Sequence, residues 1–283
     1  MKNRPWHFLL VLLWLIPALA CSGGSAAIPT ATAAATAKPN AKATATAGAQ
    51  TQSPGKFDPI TFSIGILNDE TPIDPLTTFP QGVTLVYAAF GYSGMTDGET
   101  WRTEWKLDGK VQPDLVSTSQ WKGGESGKWW VSVFSDKGIK PGAWELDLYI
   151  GDTLQQTGKI TVASHPAGQP AFGPITFSTD KDAKDKPVNA LSVDKPVLPA
   201  GTTTVYAFFD GISVPKGTTF TSHWFHNGDS AADPKDHNWG FGPNDNDWIS
   251  FGTTDKSPLE SGTYELQLTI GSTLVNVATY IMP

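Results

Sequence analysis

The sequence predicts an all-β fold made of two tandem β-sandwich domains, and three observations carry that expectation. The region after Gly55 is written twice, the apolar period within each copy is two, and no stretch there sustains a helical apolar period. Pro59-Ile-Thr-Phe-Ser63 recurs as Pro174-Ile-Thr-Phe-Ser178, and VTLVYAAF from Val83 recurs as TTTVYAFF from Thr202. ETWRTEWKLDGK from Glu99 matches TTFTSHWFHNGD from Thr218, and PGAWELDLYIGDTL from Pro141 matches SGTYELQLTIGSTL from Ser261. The offset stays between 115 and 120 residues, which is too long for a solenoid repeat and suits whole domains.

Residues 1–20 read as a secretory signal. Lys2 and Arg4 precede an almost wholly apolar run from Trp6 to Ala20 that ends in small residues. The run is shorter than the ~20 residues of a membrane span, carries Pro17, and is followed by no basic stop-transfer cluster. Ala18-Leu19-Ala20 would serve ordinary signal cleavage, but the only cysteine, Cys21, follows at once. A bare thiol there would be a liability in an oxidising compartment. Ala18-Leu19-Ala20-Cys21 resembles the lipobox of bacterial lipoproteins, with Ala18 where that family usually has Leu. The resemblance implies a diacylglyceryl group on Cys21, Cys21 as the mature N-terminus, and lipid anchoring on the outer face of a bacterial membrane, in the cell envelope. Two or more acyl chains suffice for stable anchoring where one does not. A single cysteine also excludes an intrachain disulfide and a thiolate metal site.

Residues 21–56 then form a linker. From Ser22 to Gly55 the chain is largely Ala and Thr with Pro29, Pro39 and Pro54, without an aromatic or an acidic residue. Such a segment buries too little apolar surface to offset its ordering entropy. As a flexible coil its ends would lie on the order of 30 Å apart. All 27 acidic residues follow it, so residues 57–283 hold 15 basic against 27 acidic groups, a net charge of −12. That charge repels phosphate backbones and anionic headgroups, so no nucleic-acid partner is expected and the membrane is reached through the lipid on Cys21.

The first domain spans 57–163, a Pro/Gly/Ala-rich join 164–173, and the second domain 174–283. In the first copy Trp101, Thr103, Trp105 and Leu107 alternate with Arg102, Glu104 and Lys106, as half-buried antiparallel strands do. Asp108-Gly109 and Asn227-Gly228 sit where hairpin turns belong. Domain length, a strand-centred Trp105 or Trp224 and the turn directly after it resemble the immunoglobulin-like sandwiches of bacterial surface proteins. The resemblance implies an Ig-like or fibronectin-like sandwich without the usual cysteine pair. Each copy holds a full set of strand patterns, so each is expected to fold separately.

Catalytic motifs are absent: there is no G-x-S-x-G elbow, H-E-x-x-H or phosphate-cradling glycine loop, and the first domain has no histidine. No enzyme and no cofactor are expected. His223 and His226, three apart on a strand, should face opposite ways and share no metal. Asp229 to Asp247 reads as a solvated, turn-rich acidic loop. Were it to hold calcium, Asp233, Asp236, Asp245 and Asp247 are the ligands it would offer, though without the ordered spacing of an EF-hand. Asp180, Asp182 and Asp185 form a similar cluster.

The repeat sorts the aromatic residues. Trp105 with Trp224, Trp121 with Trp239 and Trp130 with Trp248 occupy shared slots, read as packing positions. Trp129, Tyr92 and Tyr149 stand opposite Asp247, Gly211 and Thr269, so these three are the candidate exposed contact surface for a ligand. The reading is a lipid-anchored, non-enzymatic surface protein, a binding or spacer module for an unknown extracellular protein or a polysaccharide.

Overall fold

Each alternating stretch is a strand in the computed structural model, which describes residues 55–283. The signal, Cys21 and nearly all of the linker lie outside the described residues. The first copy supplies β1 (Lys56–Phe57), β2 (Thr61–Ser63), β3 (Gly65–Ile66), β4 (Pro72–Ile73), β5 (Thr78–Phe79), β6 (Leu85–Ser93), β7 (Thr100–Leu107), β8 (Lys110–Gln120), β9 (Gly127–Phe134), β10 (Gly142–Ile150) and β11 (Thr153–Val162). The second supplies β12 (Ala171–Phe172), β13 (Thr176–Lys181), β14 (Pro187–Ala190), β15 (Thr204–Ile212), β16 (Thr219–His226), β17 (Asp229–Ser230), β18 (Lys235–Asn238), β19 (Asn246–Gly252), β20 (Gly262–Ile270) and β21 (Thr273–Met282). β12 lies inside the stretch expected as a join: it pairs with β15, and Phe172 is fully buried in the second core.

The two copies are built alike, as tandem Ig-like sandwiches. In the first, β6 pairs with β1, β2 and β9, and the facing sheet runs β5-β11-β10-β7-β8 with β5 parallel to β11. In the second, β15 pairs with β12, β13 and β19, and the facing sheet runs β16-β20-β21 with β17 and β18 along the free edge of β16. The hairpin turns are as the sequence predicts, since Asp108 and Gly109, and likewise Asn227 and Gly228, take the positive φ that a type I′ turn needs. Trp105, Trp121, Leu146 and Leu148 anchor one core; Trp224, Trp239, Leu266 and Leu268 anchor the other. The indole N–H of Trp121 donates to the Gly124 carbonyl at 2.8 Å and that of Trp239 to Gly242 at 2.9 Å, so both rings are buried without an orphaned donor.

The copies meet across a buried seam. The β3–β4 hairpin pairs with neither sheet of its own sandwich. Thr279 of β21 donates instead to the Ile64 carbonyl at 2.6 Å, and Thr263 of β20 to the Ile66 carbonyl at 2.8 Å. A Cβ at Gly65 would come within 3.1 Å of the Thr279 methyl and 3.2 Å of the Thr263 methyl, a tight fit that those side chains would have to shift to accept. Val277 of the second copy is 1 % exposed and belongs to the first core, while Ile66, Leu85 and Tyr87 pack with Val193 of the second.

One carboxyl is caught in this seam. Glu265, 2 % exposed, takes the Gln267 amide on Oε1 at 2.7 Å, while its buried carboxyl also faces that of Asp74 from the first copy. Burial, and after it the facing Asp74 carboxylate, push its pKa from 4.5 up to about 7. The folded state therefore holds a proton that the unfolded chain has released. Stability from this group is full below pH 4.5 and is lost as pH rises through about 7. Thermal melts between about pH 5 and pH 8 should show a falling midpoint that Glu265→Gln, neutral at every pH, flattens. Residues 171–283 alone are expected to melt cooperatively, since their core is complete. Their midpoint should lie below that of the full chain, because Val277, Thr263 and Thr279 lose their seam partners.

Candidate functional site

A residue on β9 takes its face from its partner on β6. Trp129 pairs with Phe90 and so shares the inward face of Val86, Ala88 and Phe90. It packs against the first core with its ring 5.3 Å from Trp121. Trp130 pairs with Ala89, stands 38 % exposed and meets Tyr87 edge-on at 5.1 Å. The expected orientation of these two residues is thus reversed. The second copy repeats the outward pair as Tyr206 and Trp248 at 5.5 Å, with the Lys181 ammonium 4.4 Å from the Trp248 ring. A slot shared between copies need not be a core slot.

Tyr92 also differs from expectation. It is 6 % exposed, its ring lies 4.5 Å from Trp121, and its hydroxyl donates to the Gly123 carbonyl. Its counterpart is Gly211 because Trp239 claims that space: a Cβ on Gly211 would come within 2.6 Å of the indole. Tyr149 is half-buried on the outer face of the β10 sheet, with the Arg102 guanidinium 3.7 Å over its ring and its hydroxyl donating to Asp147 at 3.2 Å.

Tyr149 belongs to a charged lattice. Lys106 bonds Asp147 at 2.5 Å and Glu145 at 2.9 Å, Lys159 reaches Glu145 at 3.0 Å, Arg102 reaches Glu104 at 2.6 Å, and Thr157 bonds Asp147 at 2.5 Å. Burial opposes charge on Asp147, yet the bonds from Lys106 and Thr157 outweigh it and hold its pKa below the ordinary value. Asp147 and then Glu145 in turn raise the Lys106 pKa. Trp129, Tyr92 and Tyr149 therefore do not share a surface: the first two line a core and the third is locked among charges.

The acidic residues are dispersed as well. Asp236 accepts from Thr221 Oγ1 at 2.7 Å, Asp245 from the Gly242 amide at 2.7 Å and Asp247 from the Trp248 amide at 2.8 Å, while Asp233 is exposed. Burial raises the Asp247 pKa. Asp182 caps the amides of Lys184 and Lys186 at 2.8 Å each, and Asp185 pairs with Lys181. Among the described residues no group of three His, Cys, Asp or Glu side chains could hold a metal ion. His223 bonds Ser230 at 2.8 Å, whereas His226 stacks on Tyr264 at 4.5 Å.

What the residues do assemble is a cleft of 380 Å³ at the open side of the second sandwich, between β19 and the β17–β18 edge. Trp224 and Phe251 stack at 5.2 Å and 29° to form its apolar wall. Ser222 and His237 Nε2 lie 2.8 Å apart within it, and Asp233, Lys235, Trp248 and Ser250 complete the lining. His237 stacks on Phe220 at 4.9 Å and 18°, which fixes its ring plane. Burial, and after it the Lys235 charge, lower its pKa, so the imidazole is neutral near pH 7.

The cleft opens where the copies differ. In the first, β8 runs unbroken for 11 residues and Leu115 packs onto the core. In the second, the edge breaks into β17 and β18 around Ala231–Pro234, one residue shorter than the matching part of β8, and no leucine takes the place of Leu115. Register likewise places His237 opposite Phe220 where Ser119 faces Trp101, and Phe251 opposite Val205 where Val133 faces Val86. That these differences border one void was not legible in the repeat.

No protein-family model and no curated protein matches the chain. Among solved structures, a chimeric titin Z1Z2-Z1Z2 tandem functionalised with a GRGDS peptide from fibronectin is similar at 17% identity and a TM-score of 0.22, over 81% of this chain and 98% of that one. A beta-glycosidase from Bacteroides vulgatus is similar at 14% identity and a TM-score of 0.23, over 73% of this chain and 24% of that one. Red sea bream transglutaminase is similar at 10% identity and a TM-score of 0.24, over 79% and 31%.

The reversal on β9 has a measurable consequence. Trp129→Ala should lower stability by about 2–4 kcal/mol, because it empties space beside Trp121. Trp130→Ala, on the exposed face, should cost about 1 kcal/mol or less. Urea unfolding of the two variants checks the order.

Proposed function

We propose that this protein is exported and held by a lipid on Cys21 at the outer face of a bacterial membrane, where its two sandwiches act as one non-enzymatic binding arm. The observation that carries the reading is the seam. Thr279 and Thr263 bond the Ile64 and Ile66 carbonyls across it, and Val277 fills the neighbouring core, so the copies are coupled by buried contacts. A seam of this kind turns two domains into a single body that can present a surface in a fixed orientation.

The net charge of −12 over residues 57–283 supports the same reading, because it keeps that body away from anionic headgroups while the lipid holds it near. A binding role is favoured over a plain spacer by the cleft beside Trp224 and Phe251, which lies where the copies diverge. Extracellular polysaccharide and envelope protein are the partner classes that fit an exported, acidic module.

Cys21→Ser tests the anchor, since a hydroxyl is a far poorer nucleophile than a thiol. In a bacterial host the wild type should partition into the detergent phase, and the variant into the aqueous phase. Equal partitioning with the signal removed in both would sink the lipid.

A further inference from the structure

We propose that the cleft between β19 and the β17–β18 edge is a saccharide site that takes an uncharged pyranose ring. This rests on the reading of the chain as a binding arm and is independent of the lipid on Cys21. At 380 Å³ the cleft falls within the ~300–1,000 Å³ usual for small-ligand sites.

Its chemistry selects the ligand class. The Trp224–Phe251 pair offers an apolar wall, which suits the C–H face of a sugar ring and adds affinity at little entropic cost. The same lining holds groups that both donate and accept, the Ser222 hydroxyl and the neutral His237 imidazole. Asp233 accepts and Lys235 donates at the rim, one charge of each sign, so the lining favours neither an anion nor a cation. Vicinal ring hydroxyls, each a donor and an acceptor, match such a mixed set.

The architecture says why only this copy has the site. The first sandwich seats Leu115 of its unbroken β8 on the core where the second has the break between β17 and β18, and has Ser119 and Val133 where the second has His237 and Phe251. Three differences between otherwise parallel copies converge on one void. A peptide adding to the free edge of β19 would use backbone groups, and would require none of the three.

The test titrates the full chain in detergent, by calorimetry, with glucose, galactose and N-acetylglucosamine oligomers at millimolar concentration. At least one should bind, and Asp233→Leu, which puts an apolar side chain in place of a charged one on the lining, should weaken that oligomer about tenfold or more without lowering the melting midpoint. His237→Ser, carrying the residue of the first copy, should weaken it as well and keeps the test open should the leucine variant misfold. Cys21→Ser should bind as the wild type does, which separates loss of the anchor from loss of the site. No binding by any oligomer overturns the proposal. So does binding that both cleft variants leave intact, and so does binding of an extended polar peptide in place of the sugars.

Discussion

The carbonyls of Ile64 and Ile66 impose the constraint on which the arrangement of the two sandwiches depends. β3 leaves the sheet that β2 belongs to and pairs only with β4, and the buried Ile64 and Ile66 carbonyls take threonine hydroxyls from the second copy. A buried carbonyl without a partner is costly, and the second copy relieves that cost with two threonine hydroxyls. The close approach leaves little room for a side chain at Gly65 and carries Val277 into the first core. Hydrogen bonds and packing thus act at the same place, and the copies are joined by more than the covalent join between them. Glu265 is the cost of building that contact on a face that also carries acids, because a carboxyl buried opposite Asp74 is driven to keep its proton.

Duplication lets the two copies show which positions the fold needs. Trp105 and Trp224, or Trp121 and Trp239, fill matching volumes in the two cores, where a change of size is felt at once. At the open edge the same economy does not hold. An unbroken strand carrying Leu115 in one copy and a broken edge carrying Asp233 in the other are both compatible with the sandwich, since the edge borders solvent. The broken edge leaves an unfilled wall beside Trp224, and a wall of two stacked rings next to polar groups is a place for a ligand. The Tyr92–Gly211 difference teaches the opposite lesson: Trp239 takes the space there, so the change is compensated and leaves nothing open.

The sequence by itself determined the all-β class, the two copies, the type I′ turns and the Trp105 and Trp224 core slots, because period two, turn residues and self-similarity are local or one-dimensional signals. It did not determine which of Trp129 and Trp130 looks inward. Adjacent strand residues always face opposite ways, but only the pairing of Phe90 with Trp129 decides which face is the core. Nor did it reveal that Tyr92 is buried, that Tyr149 lies under Arg102, or that Asp233, His237 and Phe251 border one void. Those are outcomes of register and of the packing of strands from distant parts of the chain, and a side chain's neighbours across a sandwich leave no trace in its neighbours along the chain.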